Sequence, residues 1–200
     1  MTLAALMRCK FLLANKILGK IKAIRQRERE GVYQQYLLAP GASVTVSFDN
    51  AFTFADGMYR DQRRYRGCWK PNKHFLGPNN VPAFDGTDDG EEVRCAQVID
   101  SLPQVAYWIR NAARHPASFW LPTATDRFYP DFVARLEDGR LLVVEYKGAH
   151  IAEGLDTAEK RTIGALWQRK SGGRGLFIVV EKVVNGRDIR QQMEAFLMAK

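Results

Sequence analysis

The C-terminal half of the chain is dominated by two apolar, β-branched runs, Phe128-Tyr-Pro-Asp-Phe-Val-Ala-Arg-Leu136 and Arg140-Leu-Leu-Val-Val-Glu-Tyr-Lys-Gly148, on either side of Glu137-Asp138-Gly139. Two such runs around an Asp-Gly turn predict a β-hairpin. Loop length then decides which side chains share a face. With Asp138-Gly139 alone as the loop, Glu137 pairs with Arg140, Asp131 falls opposite Tyr146, and the carboxylates of Asp131 and Glu145 lie on opposite faces. With Glu137-Asp138-Gly139 as the loop and Gly139 in the left-handed position, Leu136 pairs with Arg140 and Asp131 falls opposite Glu145. Lys147, two residues on, then shares their face. This second register also gathers Phe132, Ala134, Leu136, Leu142 and Val144 on one face and Val133, Leu141 and Val143 on the other. Two apolar faces suit central strands covered by helices on both sides. The three-residue loop is therefore the expected one.

The remaining pattern predicts a helix over about Glu91 to Ser101 with Cys95, Ala96, Ile99 and Leu102 inward. A strand follows near Gln104 to Arg110, with Val105, Tyr107 and Ile109 alternating against Ala106 and Trp108, and Trp108 is expected in the core. After the hairpin, Asp156 or Thr157 caps a helix to about Lys170 carrying Ala158, Ile163, Leu166 and Trp167. Ser171 to Gly175 breaks it, Leu176 to Val180 reads as a buried strand, and Arg187 to Ala199 as a terminal helix. Asp85 to Gly90 is an acidic linker. The expected organisation is thus a basic extension or connector over residues 1–84 and an α/β domain over residues 85–200.

Within that frame, Asp131 and Glu145 are two oxygen ligands one cross-strand spacing apart. Such a pair suits a hard cation such as Mg²⁺, which keeps several waters and takes one or two protein carboxylates. A water on that ion becomes nucleophilic at neutral pH, and Lys147 is placed to orient it or to pair with a phosphate. The residues point to metal-assisted cleavage of phosphodiester bonds.

Pro130-Asp131 with Glu145-x-Lys147 resembles the signature of the PD-(D/E)XK nuclease superfamily. The wider set Glu92-Val-Arg-Cys-Ala96, Val105-Ala-Tyr-Trp-Ile-Arg-Asn111, Phe128-Tyr-Pro-Asp-Phe132 and Val144-Glu-Tyr-Lys-Gly148 resembles the C-terminal nuclease region of type III restriction subunits and helicase-nuclease proteins. The resemblance covers roughly Gly90 to Val180. It implies a restriction-endonuclease-like αβββαβ core with a mixed sheet flanked by helices, and an endonuclease that hydrolyses DNA with Mg²⁺ or Mn²⁺. It also implies an acidic residue from the first core helix. Of Glu91 and Glu92, Glu92 shares the buried stripe, so Asp131, Glu145 and Glu92 are the implied metal ligands, with Lys147 completing the catalytic set. Arg94 departs from the second acidic residue of the family pattern. Lys160 and Gln168 border the implied site, and Lys73-His74-Phe75 resembles a Lys-His-aromatic element of the helicase-nuclease proteins.

Charge adds a partner. The net charge of +8 and pI near 9.5 favour a polyanion. Candidate nucleic-acid contacts are Arg110, Asn111, Arg114 and Lys160 around the domain, and Arg63, Arg64 and Arg66 in the cluster Tyr59-Arg-Asp-Gln-Arg-Arg-Tyr-Arg66. Over the first forty residues, eight basic residues stand against two acidic ones, with Leu6, Leu13, Ile17, Ile21 and Ile24 at helical spacing. That is an amphipathic basic helix, and Arg8, Lys10 and Lys16 interrupt any membrane span. Val44 to Phe48 alternates like a strand. Cys9, Cys68 and Cys95 are odd in number and widely spaced, which indicates a reducing, cytoplasmic setting rather than a disulfide framework. His74, His115 and His150 show no ligand spacing. The chain contains no Gly-x-x-x-x-Gly-Lys-Ser/Thr loop and so no ATP site of that kind. The chain is then expected to be either the detached C-terminal part of a helicase-nuclease protein or the partner of a separate helicase or ATPase subunit, and a methyltransferase subunit is the other expected partner. The alternative is a catalytically silent or partner-dependent nucleic-acid-binding module of the same complex.

Overall fold

The computed structural model describes residues 15–25, 52–124, 126–148 and 155–200. Leu6, Leu13, the Val44 to Phe48 strand and His150 lie outside the described residues. The chain divides into two compact units, Met1–Val44 with Thr123–Asp126, and Thr45–Pro122 with Arg127–Lys200. In the first unit residues 15–25 form a helix, α1, with Ile17, Leu18, Ile21 and Ile24 exposed. No helix among the described residues is long and apolar enough to cross a membrane.

The second unit is a mixed α/β structure. Helix α2 (Glu91–Ser101) leads into β1 (Val105–Arg110), the short strands β2 (Leu121–Pro122) and β3 (Arg127–Phe128) form a hairpin, and β4 (Phe132–Leu136) turns into β5 (Leu141–Lys147). Helix α3 (Leu155–Lys170) crosses over to β6 (Gly175–Glu181), the hairpin β7 (Val183–Val184) and β8 (Arg187–Asp188) follows, and α4 (Ile189–Met198) ends the order. The main sheet runs β1-β4-β5-β6, antiparallel except that β5 and β6 are parallel. A parallel neighbour needs a crossover, and α3 provides it.

Alternation in the sheet sorts two layers. Phe132, Ala134, Leu136, Leu142, Val144, Leu176 and Val180 face a core shared with Cys95, Ala96 and Ile99 of α2 and Ile189, Met193 and Leu197 of α4. Val133, Leu141, Val143 and Phe177 are buried on the other face, where α3 lies. That helix comes so close that a Cβ on Gly164 would meet the Phe177 ring at 2.2 Å.

Strand β1 departs from simple alternation. Its pairing with β4 slips between Val105 and Tyr107, so Val105 joins Trp108 in the α2 core instead of sharing a face with Tyr107 and Ile109. A bulge of this kind adds one residue and flips the phase of what precedes it. Asn185-Gly186 turns the β7–β8 hairpin with both residues at positive φ, 51° and 75°, and Asp188 then caps α4 in a capping box with Gln191.

Residues 52–84, set apart in the sequence as part of a connector, pack onto this unit. Met58, Tyr59, Val81 and Phe84 are buried, and Val81 and Phe84 belong to the α2 core. Asp100 fastens the segment: its carboxylate accepts the backbone N–H groups of Asn72 (3.0 Å) and Lys73 (2.8 Å) and the Trp108 indole N–H (2.8 Å). Lys73 Nζ donates to the carbonyls of Leu102 and Val105, each at 2.7 Å. Lys73-His74-Phe75 thus lies along β1, with the Trp108 backbone N–H donating to Lys73 O and the Phe75 N–H to Trp108 O. Its role here is to tie the segment to β1.

Candidate active site

The β4–β5 loop is Glu137-Asp138-Gly139. Leu136 and Arg140 close it, with the Leu136 N–H donating to Arg140 O and the Gly139 N–H to Leu136 O, both at 2.9 Å. Gly139 has φ +86°, a conformation in which any Cβ would be strained. Asp138 accepts the Arg140 backbone N–H (3.0 Å) and Nε–H (2.7 Å), which lowers its carboxyl pKa. The ladder pairs Phe132 with Val144, Val133 with Val143 and Ala134 with Leu142. One step further, that register sets Asp131 beside Glu145. Tyr146 faces the α2 core, so Glu145 and Lys147 point to the opposite, α3 side.

Asp131 is held from three directions. Its carbonyl accepts the Asn111 backbone N–H at 2.8 Å, and the preceding Pro130 carbonyl accepts Asn111 Nδ2–H at 2.8 Å. Its Oδ2 accepts the Tyr146 backbone N–H at 2.6 Å, which aims the carboxylate at β5. Asn111 itself is buried, and its side chain also donates to Phe119 O and accepts Phe119 N–H. Burial of the Asp131 carboxyl, then the negative charges of Glu145 and Glu92, push its pKa well above the usual carboxylate range, while the Tyr146 N–H and Arg110 oppose this.

Glu145 and Lys147 are both buried and form an ion pair, Lys147 Nζ to Glu145 Oε1, at 2.9 Å. Lys160 approaches from α3, its ammonium 3.8 Å from the same oxygen and 5.1 Å from the centre of the Phe128 ring. The other helix residue named with it, Gln168, caps the sheet edge by accepting the Phe177 N–H at 2.8 Å.

Glu92 is buried, as the helical phase requires, and Glu91 is rotated away to accept the Tyr146 hydroxyl (3.1 Å) and to pair with Lys182 (3.1 Å). The Glu92 carboxylate is already engaged. Arg110 Nε–H donates to its Oε1 at 2.8 Å, the Asp85 N–H donates to its Oε2 at 2.6 Å, and Arg110 reaches on to the Asp85 carboxylate at 3.2 Å. Cys95 is fully buried in the same region, and burial together with the Asp131 and Glu92 charges pushes its thiol pKa up, so it is no nucleophile.

The residues named for nucleic-acid contact fall into two groups. Arg110 and Asn111 are turned inward and hold Glu92 and Pro130-Asp131. Neither offers a free head group to a phosphate. Arg63, Arg64, Arg66 and Arg114 are exposed, Arg114 with φ +63°, and Lys160 borders Glu145. The positioning roles of Arg110 and Asn111 escaped the sequence reading because a pattern of apolar positions says nothing about which polar residue at a strand end turns back into the fold.

Among the described residues no group of three or more His, Cys, Asp and Glu side chains is arranged to hold a metal ion. Asp131 and Glu145 fit a narrower role. Two oxygen donors side by side, one with a carboxyl made costly to ionise by burial and like charge, suit a hard cation that retains its waters. Glu92 is instead held by Arg110 and the Asp85 N–H. The chain matches no protein-family model, no curated protein and no solved structure.

Proposed function

We propose that this chain is a cation-dependent endonuclease of the PD-(D/E)XK type, acting on DNA as the nuclease part of a type III restriction-like or helicase-nuclease system. One observation carries the reading: the three-residue β4–β5 loop and its register, which set Asp131 beside Glu145 with Lys147 on the Glu145 face. The order α2, β1, β4, β5, α3, β6 supports it, being the αβββαβ order of a restriction-endonuclease-like core.

In this proposal Asp131 and Glu145 hold Mg²⁺, for which Mn²⁺ substitutes, and the ion supplies an acidified water and charge neutralisation at the phosphate. Asn111 fixes the Pro130-Asp131 backbone and the Tyr146 N–H orients the Asp131 carboxylate, which preorganises this ligand. Lys147 exchanges its contact with Glu145 for the attacking water or a non-bridging phosphate oxygen. Lys160 screens the substrate's negative charge at the α3 side of the site.

A second reading is favoured by a specific feature. Glu92 is tied to Arg110, and Lys147 to Glu145, so two of the three acidic groups are already paired with cations of the chain itself. A partner-dependent module, silent until a helicase or methyltransferase subunit joins it, would rest in this closed arrangement. The test is plasmid DNA with millimolar Mg²⁺, using the parent chain, Asp131→Ala and Lys147→Ala. Cleavage by the parent that disappears in both variants supports the enzyme, and cleavage unchanged by both removes this site from consideration. Binding of DNA without cleavage by all three favours the silent module.

A further inference from the structure

Away from Asp131 and Glu145, the segment before α2 forms a half-open cavity of about 480 Å³ whose lining includes Tyr59, Arg60, Arg64, Phe75 and Asn80. That volume falls in the range of small-molecule sites, about 300–1,000 Å³. The cluster that reads in sequence as one basic stretch is sorted by the fold. Turns closed by the Arg60 N–H on Gly57 O and the Gln62 N–H on Tyr59 O bring Arg60 and Arg64 to the cavity, which Arg63 and Arg66 do not line.

The walls are fixed before any ligand arrives. Arg64 donates to the Asn80 carbonyl at 2.9 Å, and Asn80 Nδ2–H donates to Leu76 O at 2.7 Å, so one guanidinium is aimed and its remaining N–H groups are left for an anion. Phe75 packs at a tilt against Phe54 and Tyr107, with ring centres 5.2 and 5.4 Å away, and is still 37% exposed. Tyr59 forms the floor: it is buried, stacked on His74, and its hydroxyl donates to Arg110 O. Two arginines in one lining suit a phosphate, which their planar forks bind bidentately. An exposed, immobilised ring matches the face of a base. Asp56, also in the lining, supplies an acceptor for base N–H groups and, against two arginines, leaves the lining with a net positive charge.

We infer that this cavity binds a nucleoside 5′-phosphate unit, with its phosphate on Arg60 and Arg64 and its base against Phe75. The inference goes beyond the cleavage proposal, since binding here requires neither Asp131 nor Lys147. The unit comes either from a free nucleotide or from one residue of a single strand, and the two sources are separable.

The full chain is titrated in EDTA with dGMP by calorimetry and with a fluorescein-labelled single-stranded oligonucleotide by anisotropy. The variants are Arg60→Gln, Arg60→Gln/Arg64→Gln and Phe75→Leu. The double variant is expected to weaken binding at least tenfold and Phe75→Leu severalfold. For the oligonucleotide, each lost phosphate contact should lower the slope of log affinity against log salt by about 0.7. Binding of dGMP that competes with the oligonucleotide identifies a free-nucleotide site, and binding of the oligonucleotide alone identifies a strand unit. Affinity unchanged in the double variant, or no binding of either probe to the parent, overturns the inference. Arg60 is exposed, so the single Arg60→Gln variant keeps the fold and reads the same effect if the double variant is unstable.

Discussion

Replacing Asp131 by Asn is expected to make the metal-free protein more stable while abolishing cleavage. Asp131 pays for its position, because its carboxyl is desolvated and stands beside Glu145, with Glu92 nearby. Two charges one cross-strand spacing apart, about 5 Å, repel by about 3 kcal/mol at an effective dielectric constant near 20. Arg110 offsets part of this at Asp131, and Lys147 balances part of the Glu145 charge. Asparagine keeps the size and the acceptor for the Tyr146 N–H but carries no charge, so the expected gain is roughly 2 kcal/mol. The sign with pH is fixed. The folded-state pKa of Asp131 is raised, so the folded protein holds this proton more tightly than the unfolded chain, and the parent loses stability as pH rises through that raised value. The gain from Asp131→Asn is therefore full at alkaline pH and shrinks toward zero once acid neutralises the parent carboxylate. The assay is urea denaturation of both proteins in EDTA across that pH range, repeated with Mg²⁺. A cation bound at a hundred times its Kd adds about 2.7 kcal/mol to a protein that holds it. Mg²⁺ should thus raise the parent and leave Asp131→Asn nearly unchanged. If Asp131→Asn is less stable than the parent at alkaline pH, or Mg²⁺ shifts both alike, the account of Asp131 as a strained cation ligand is wrong.

Three other outcomes are expected. His74 is buried with Nδ1 3.0 Å from Gly77 O and no partner for Nε2, and burial lowers its pKa from 6.5 to about 4. The unfolded chain takes up the extra proton first, so stability present above about pH 6.5 falls by at most about 3 kcal/mol toward pH 4 and then levels off. A His74→Phe variant should lack that part of the slope in acid denaturation followed by circular dichroism. Asn111→Ala should cost about 2–4 kcal/mol in urea denaturation, because it leaves the Pro130 and Phe119 carbonyls and the Phe119 N–H without their buried partner. Gly164→Ala should destabilise despite a helix-propensity gain of about 1 kcal/mol, since a Cβ 2.2 Å from Phe177 forces overpacking of about 1–3 kcal/mol. Because Lys160 lies one turn away, cleavage should fall as well, and a thermal melt equal to that of the parent would contradict the packing.

What the sequence disclosed was what periodicity encodes. The helix over Glu91 to Ser101, the burial of Trp108 and the phase that turns Glu92 inward follow from which positions are apolar, while the three-residue loop is the one that brings Asp131, Glu145 and Lys147 to one face. The bulge in β1 was hidden because Val105-Ala-Tyr-Trp-Ile-Arg110 alternates acceptably with or without an extra residue. The β7–β8 hairpin carries a turn signal in Asn185-Gly186, but strands of two residues are too short to show alternation. Residues 52–84 carry no periodic pattern because their attachment runs through Asp100 and Lys73, polar bonds to distant backbone that leave no repeat in the sequence. The same holds for Arg110 and Asn111: their type was legible, but the direction in which each turns depends on partners far along the chain, Asp85 and Glu92 for the one and Phe119 and Pro130 for the other.

The Glu137-Asp138-Gly139 turn has a consequence for how this chain can change over generations. Exposed hairpin tips are ordinarily where a codon is gained or lost at little cost. Here the tip sets the phase of everything after it, so losing one residue would rotate β5 by one position and send Glu145 and Lys147 toward the α2 core while Tyr146 swung to the α3 side. Substitutions of Glu137 and Asp138 should drift freely among lineages, yet the count of three between Leu136 and Arg140 should stay fixed wherever Asp131, Glu145 and Lys147 are kept together.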